Sequence, residues 1–128
     1  MSVGLLLITH NHIGAELLKA ATATLSGCPL TTRLWQVSNT QNPEVLLAEA
    51  RILIDPVDSG DGVLVLTDIY GSTPSNIATR LLQKGSVIVV SGLRLPMLIR
   101  VLNYARLSLR ELANKVVSGG CEGIVMAT

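Results

Sequence analysis

The sequence is poor in aromatic residues, with no Phe, one Trp and two Tyr among 128 residues. Because few rings are available for base stacking and the formal net charge is only +1, the composition argues against nucleic-acid binding. The chain also has only two cysteines, Cys28 and Cys121, and no CxxC or Cys/His ligand spacing surrounds them. We therefore expect two reduced thiols, with neither a metal site nor a redox motif.

The first ten residues, MSVGLLLITH, lack the basic segment that begins a secretory signal. Their apolar run ends at His10, which makes it too short for a signal peptide or a membrane span. We therefore expect a cytoplasmic protein that does not insert into a membrane.

Apolar residues make up 48% of the sequence. Because so few of them are aromatic, the core must consist of Leu, Val, Ile and Ala. Four short apolar runs, each followed by a helical pattern, span Val3 to Thr9, Thr32 to Val37, Val63 to Thr67, and Val87 to Val90. This alternation predicts an α/β fold: one domain, residues 1–128, with an open, mostly parallel sheet covered by helices on both faces. We expect four to five strands, the fifth from Gly123 to Met126.

Local signals fix several helix ends. The first helix, with apolar residues every four positions from Ile13 to Leu25, should end at Ser26-Gly27. Asn42 before Pro43 predicts the start of the second helix, which should end at the Asp55-Pro56 break. Further helices are expected from Ser75 to Leu82, from Pro96 to about Tyr104, and from Ser108 to Val117, with Glu111 completing a capping box.

Polar residues follow the first, third and fourth strands. In an open parallel sheet, reacting groups gather at the carboxyl ends of the strands, beside the point where strand order reverses. His10 lies there, and its neutral imidazole has a nucleophilic nitrogen that can accept a phosphoryl group. Asp68, after the third strand, is placed to accept the other ring N–H and to stabilise the positive charge that develops. The sequence therefore predicts His10 and Asp68 as a catalytic pair.

The segment after Asp68 contains the candidate phosphate-binding residues Gly71, Ser72 and Thr73. Pro74 is typical of the first position of a helix, which makes Thr73 the predicted N-cap. The exposed N–H groups and positive dipole end of such a helix favour an anion. We expect these residues to surround the phosphoryl oxygens.

Other interpretations stay open on the residues alone. His10 and Asp68 are also compatible with ordinary packing and helix-capping roles. A hydrolase triad of Ser72, His10 and Asp68 lacks the GxSxG elbow, and no GxGxxG or GK[ST] loop indicates a nucleotide. His10 and His12 form an HxH pair without an obvious third metal ligand.

Three segments resemble the IIA component of the mannose family in the bacterial sugar phosphotransferase system: residues 4–10, which end in His10; residues 66–76, LTDIYGSTPSN; and residues 92–98, GLRLPML. The resemblance implies that His10 receives a phosphoryl group from the phosphocarrier protein HPr and transfers it to a IIB component for sugar uptake. It also implies a bond between Asp68 and the opposite ring nitrogen, phosphoryl contacts by Thr73, a homodimer peripheral to a membrane permease, and no cofactor.

Two departures from the family pattern matter. Arg94 stands where the family usually has Asn. Three interpretations of Arg94 stay open: an accessory hydrogen-bond donor for phosphate, a residue that changes the partner surface, or an exposed loop cation. The sequence ends at Thr128 without a fused IIB domain, and nothing in it identifies a sugar. Two alternatives therefore stay open: a regulatory protein controlled by the phosphorylation state of His10, and the phosphotransfer subunit of dihydroxyacetone kinase.

Overall fold

A computed structural model describes residues 2–37, 42–84 and 86–128. The described strands are β1 (Gly4–His10), β2 (Thr32–Val37), β3 (Val63–Thr67) and β4 (Val87–Ser91). The described helices are α1 (Ile13–Leu25), α2 (Pro43–Ile54), α3 (Thr73–Arg80), α4 (Leu95–Asn103) and α5 (Leu109–Glu122), with a short 3-10 turn at Leu81–Lys84. Nothing in these described ranges is a helix long and apolar enough to cross a membrane.

The strands form one parallel sheet in the order β2-β1-β3-β4. From β1 the chain continues to β2 on one side and then to β3 on the other, so strand order reverses between β1 and β3. These central strands are buried almost throughout, which explains their uninterrupted apolar sequences. The reversal places the carboxyl ends of β1 and β3 side by side.

Helices cover both faces of the sheet, which confirms the predicted fold class. On one face, Leu5 and Leu7 of β1 join a core with residues of α1, α4 and α5. On the other, Leu6 and Ile8 join a core with residues of α2 and α3. Successive side chains of a strand point to opposite faces, so His10 continues the column that faces α2 and α3.

Several local predictions are confirmed. The bounds of β2, β3 and α1 are as expected, and Ser26 has a left-handed φ of 62° at the end of α1. Asn42 caps α2 by accepting a hydrogen bond from Glu44 N at 2.8 Å. Ser108 Oγ accepts from Glu111 N at 3.4 Å at the start of α5. Local chemistry was sufficient to identify these ends.

The predicted strand from Gly123 to Met126 is wrong. Helix α5 continues to Glu122, and residues 124–128 are exposed without regular structure. Two glycines in this added part of α5 allow close packing: a Cβ at Gly119 would lie 2.5 Å from Arg100 Cγ, and one at Gly120 3.1 Å from Met97 Sδ. Close approach to α4 therefore extends the helix past the predicted end.

The predicted start of α3 is also corrected. Ser72, not Thr73, is the N-cap: its backbone is extended and its carbonyl accepts from Asn76 N at 2.8 Å. Thr73 is the first helical residue and Pro74 the second. The restriction that proline places on the preceding residue disfavours the helical region but did not prevent Thr73 from adopting it.

Candidate active site

His10 and Asp68 meet at the point where strand order reverses. His10 ends β1, Asp68 directly follows β3, and these strands are hydrogen-bonded neighbours. His10 Nδ1 lies 2.7 Å from Asp68 Oδ2, and the same oxygen accepts the backbone N–H of His10 at 3.1 Å. The side chains are 26% and 10% exposed, respectively. The structure thus brings together the two residues that the sequence singled out.

This contact determines which ring nitrogen is available for chemistry. An ionised carboxylate only accepts hydrogen bonds, so the pairing requires a proton on Nδ1. The neutral ring then carries its lone pair on Nε2, which is the nucleophilic atom. Because Oδ2 bonds both the ring and the backbone of His10, the ring orientation is tied to the end of β1.

A tight turn joins Asp68 to α3. Gly71 has a φ of +83°, a conformation that glycine adopts without steric cost. Ser72 Oγ donates to the Ile69 carbonyl at 2.6 Å, and Gly71 N donates to Ser75 Oγ at 3.3 Å. The Gly71 amide therefore has an internal acceptor, whereas Ser72 and Thr73 lie at the N-terminus of α3, whose N–H groups and dipole favour an anion.

The Arg94 side chain bonds backbone carbonyls of its own loop and of α5. Its guanidinium donates to the carbonyl of Gly120, and Nη1 donates to the carbonyl of Gly92 at 3.3 Å. The side chain thus joins the segment between β4 and α4 to the last turns of α5. These bonds assign Arg94 a structural contact, while a phosphate contact stays a prediction.

The geometry gives little support to the alternative chemistries. Ser72 Oγ has the Ile69 carbonyl as its partner, so the Ser72–His10 bond of a hydrolase triad is not formed. His12 Nδ1 lies 2.8 Å from Gln36 Nε2, an amide nitrogen that donates to it. Within residues 2–37, 42–84 and 86–128, no group of three or more His, Cys, Asp or Glu side chains could hold a metal ion.

Two features near the site were missed at the level of sequence. Thr9 Oγ1 accepts from Gly14 N at 3.0 Å and so pairs one N–H of the first turn of α1, whose N-cap is His12. Thr67, Ser75 and Ser91 form a linked set of hydroxyl groups below the turn after β3. The sequence signal that could have indicated the hydroxyl set is that Thr67 and Ser91 are hydroxyl residues at the ends of otherwise apolar strands.

The chain is similar to proteins of a known family over most of its length. The family model EIIA-man, described as "PTS system fructose IIA component", matches residues 4–117. The mannose-specific EIIAB component of the phosphotransferase system (PTS) of Escherichia coli K12 is 30% identical over 128 residues, which cover 97% of this chain and 39% of that protein. The chain thus spans about two fifths of the length of the curated relatives it matches.

Solved structures show the same fold. The mannose/sorbose-specific IIA subunit of Enterococcus faecalis has a TM-score of 0.86 at 22% identity, with 100% of this chain and 96% of that chain covered. The PTS IIA protein associated with the fucose utilization operon of Streptococcus pneumoniae has a TM-score of 0.80 at 23% identity, with 98% and 96% covered. Because both identities are below 25%, these likenesses support the fold of the chain and not a more specific property.

Proposed function

The chain belongs to the EIIA-man family of phosphotransferase system IIA components, and we propose that its His10 is a transient phosphoryl carrier. In this proposal the whole chain, residues 1–128, is one IIA domain that accepts a phosphoryl group from phospho-HPr and transfers it to a IIB component for sugar uptake. The observation that supports it most directly is the 2.7 Å contact between His10 Nδ1 and Asp68 Oδ2. This contact leaves Nε2 as the nucleophile.

The proposed transfer forms one bond to phosphorus and breaks another. The Nε2 lone pair attacks the phosphorus of phospho-HPr, the new N–P bond forms, and the electrons of the old bond leave with HPr. The Nδ1 proton stays in place, and Asp68 stabilises the positive charge that the ring gains. Attack by a IIB nucleophile on the same phosphorus then restores neutral His10.

The turn after β3 provides donors for the phosphoryl oxygens. We assign this role to the backbone N–H groups of Ser72 and Thr73 and to the Thr73 hydroxyl, because they lie at the N-terminus of α3. Gly71 contributes the left-handed turn that brings this helix end to the loop carrying Asp68. The proposed transition state is thus stabilised by positioning and electrostatics.

We further propose that the protein acts in the cytoplasm as a homodimer peripheral to a membrane permease. Ile124, Val125 and Met126 are between 73% and 86% exposed, and both edge strands, β2 and β4, have one unpaired side within the described sheet. Such exposed apolar residues and open edges favour association. Light scattering should give twice the mass of one chain, and a monomeric mass would contradict the proposal.

The carrier role is tested by incubating the protein with phosphoenolpyruvate, enzyme I and HPr and then measuring intact mass. We expect the gain of one phosphoryl group, its loss in His10→Gln, and its retention in the matched control His12→Gln. Adding a IIB component should then remove the group. No mass gain, or a gain that survives His10→Gln, would contradict the proposal.

A further inference from the structure

Three hydroxyl side chains form a continuous set beneath the turn after β3, which we call the hydroxyl chain: Thr67, Ser91 and Ser75. Thr67 Oγ1 donates to Ser91 Oγ at 2.9 Å, and Ser91 Oγ lies 3.5 Å from Ser75 Oγ. Thr67 and Ser75 are 0% and 1% exposed. The last contact of the set is the hydrogen bond from Gly71 N to Ser75 Oγ at 3.3 Å.

The hydroxyl chain replaces what would otherwise be apolar core. Val65 and Val89 pair across β3 and β4 on the face that packs against α2 and α3. Two residues later the pair Thr67 and Ser91 occupies the same face. Buried hydroxyl groups are costly unless they are hydrogen-bonded, and each hydroxyl of this set has a partner. The set thus links the polar ends of β3 and β4 to the turn after β3.

The turn that donates this hydrogen bond has one other side-chain bond, from Ser72 Oγ to the Ile69 carbonyl. Gly71 is exposed, and a Cβ placed on it would meet nothing within 4 Å, so packing does not hold its conformation. Its amide is instead fixed to a buried hydroxyl. Asp68 precedes Gly71 by three residues, and Thr73 follows it by two. The Gly71–Ser75 bond thus constrains the short segment between the proposed orienting carboxylate and the proposed phosphate donors.

We propose that Ser75, backed by Ser91 and Thr67, is a positioning residue for phosphoryl transfer; this inference rests on the proposed function of His10. Ser75 fixes the Gly71 amide in the turn, which reserves the amides of Ser72 and Thr73 for the phosphoryl oxygens. Because Ser75 is buried, it offers no surface to a partner protein. Its removal should therefore lower kcat for transfer and leave KM for phospho-HPr unchanged.

The test compares Ser75→Ala with the matched control Ser118→Ala. Ser118 is a half-buried helical serine bonded to Arg100 Nη1 at 3.0 Å, on α5. Loss of one hydrogen bond of ordinary net strength corresponds to about a five- to tenfold fall in rate. We expect Ser75→Ala to show that fall in kcat, a KM within about twofold of wild type, and faster hydrogen exchange at the Gly71 amide. Ser118→Ala should change none of the three.

A second variant separates the hydrogen bond from simple packing. Ser75→Cys fills the position with an unbranched side chain whose sulfur is slightly larger than the oxygen and accepts hydrogen bonds only weakly. We expect its kcat to fall as in Ser75→Ala; wild-type kcat in Ser75→Cys would overturn the inference. It also supplies the test if Ser75→Ala does not fold.

The outcomes distinguish this inference from the carrier role. If wild-type protein takes no phosphoryl group on His10, the proposed function fails, and with it the inference that rests on it. If wild type is phosphorylated but Ser75→Ala keeps its kcat within twofold, the positioning role alone is overturned. A fall in kcat without faster exchange at Gly71 overturns it as well, because the turn would then be unchanged.

Discussion

Replacing Asp68 with Asn tests the orienting role proposed for that carboxylate. In wild type, Oδ2 accepts from His10 N at 3.1 Å and pairs with His10 Nδ1 at 2.7 Å. The shorter bond strengthens when the ring gains positive charge during attack, because both of its partners are then charged. Hydrogen bonds to charged groups contribute about 1.5–3 kcal/mol, against about 1 kcal/mol for neutral ones. The neutral amide should therefore lose roughly 0.5–2 kcal/mol of transition-state stabilisation, a fall of about 2- to 30-fold in rate.

The size of the rate loss in Asp68→Asn depends on which end of the new amide faces His10. If the NH₂ group faced Nδ1, it would invert the ring tautomer and protonate Nε2; in the serine-protease triad the corresponding substitution costs about 10⁴-fold. Here the backbone N–H of His10 contacts the same position and requires an acceptor there. We therefore expect the amide oxygen to keep the place of Oδ2 and the smaller loss to apply.

The assay is single-turnover transfer from phospho-HPr, followed by rapid quench and intact mass. Asp58→Asn is the matched control, because Asp58 Oδ1 caps the loop before β3 by accepting from Gly60 N at 2.9 Å and Gly62 N at 3.2 Å. It should transfer at the wild-type rate. A rate for Asp68→Asn within about twofold of wild type would remove Asp68 from the proposed mechanism.

The remaining predictions concern the fold around the site. Gly4→Ala should destabilise the protein by about 1–3 kcal/mol in chemical denaturation, because the new Cβ would lie 2.2 Å from the Val57 carbonyl oxygen; an unchanged midpoint contradicts this. Asn42→Ala should cost about 1 kcal/mol by removing the α2 cap, while Asn42→Asp should keep it; equal stability of the two variants would refute the cap. The hydrogen bond from Arg80, followed by its charge, lowers the pKa of Glu44. Arg80→Gln should therefore raise that pKa toward its ordinary value in an NMR titration, and an unmoved pKa would argue against the pairing. This pair stabilises the fold above the unfolded-state pKa of Glu44, and the stabilisation disappears as pH falls through the lower folded-state value.

The sheet and the central pair were predictable because each rests on a strong local or topological rule. Apolar runs separated by helical patterns specify parallel strands, and parallel strands bring their carboxyl ends to one edge. His10 and Asp68 were therefore expected together, and they lie within hydrogen-bond distance. Helix ends marked by a cap, such as Asn42, were equally accessible from local sequence.

What could not be predicted depends on contacts between distant segments. Gly119 and Gly120 have the composition of a helix end, and only their closeness to α4 explains why α5 continues through them. The direction of Arg94 depends on the Gly120 carbonyl, 26 residues away. Ser75 and Ser91 are ordinary residues in sequence and meet only because α3 packs over the end of β4.

The arrangement of bonds around His10 argues for a carrier that changes little between its two proposed states. The ring is held from the Nδ1 side by a carboxylate that also bonds the backbone of the same residue. In the proposed cycle, phosphorylation at Nε2 leaves the Nδ1 side intact, so we expect the ring to keep its orientation when it accepts and donates the phosphoryl group. Ile69 and Tyr70, directly after Asp68, are 59% and 83% exposed and so are open to a partner protein. We expect a partner protein to contact these two side chains while the proposed transfer uses Nε2, so that partner binding and phosphoryl transfer depend on different residues.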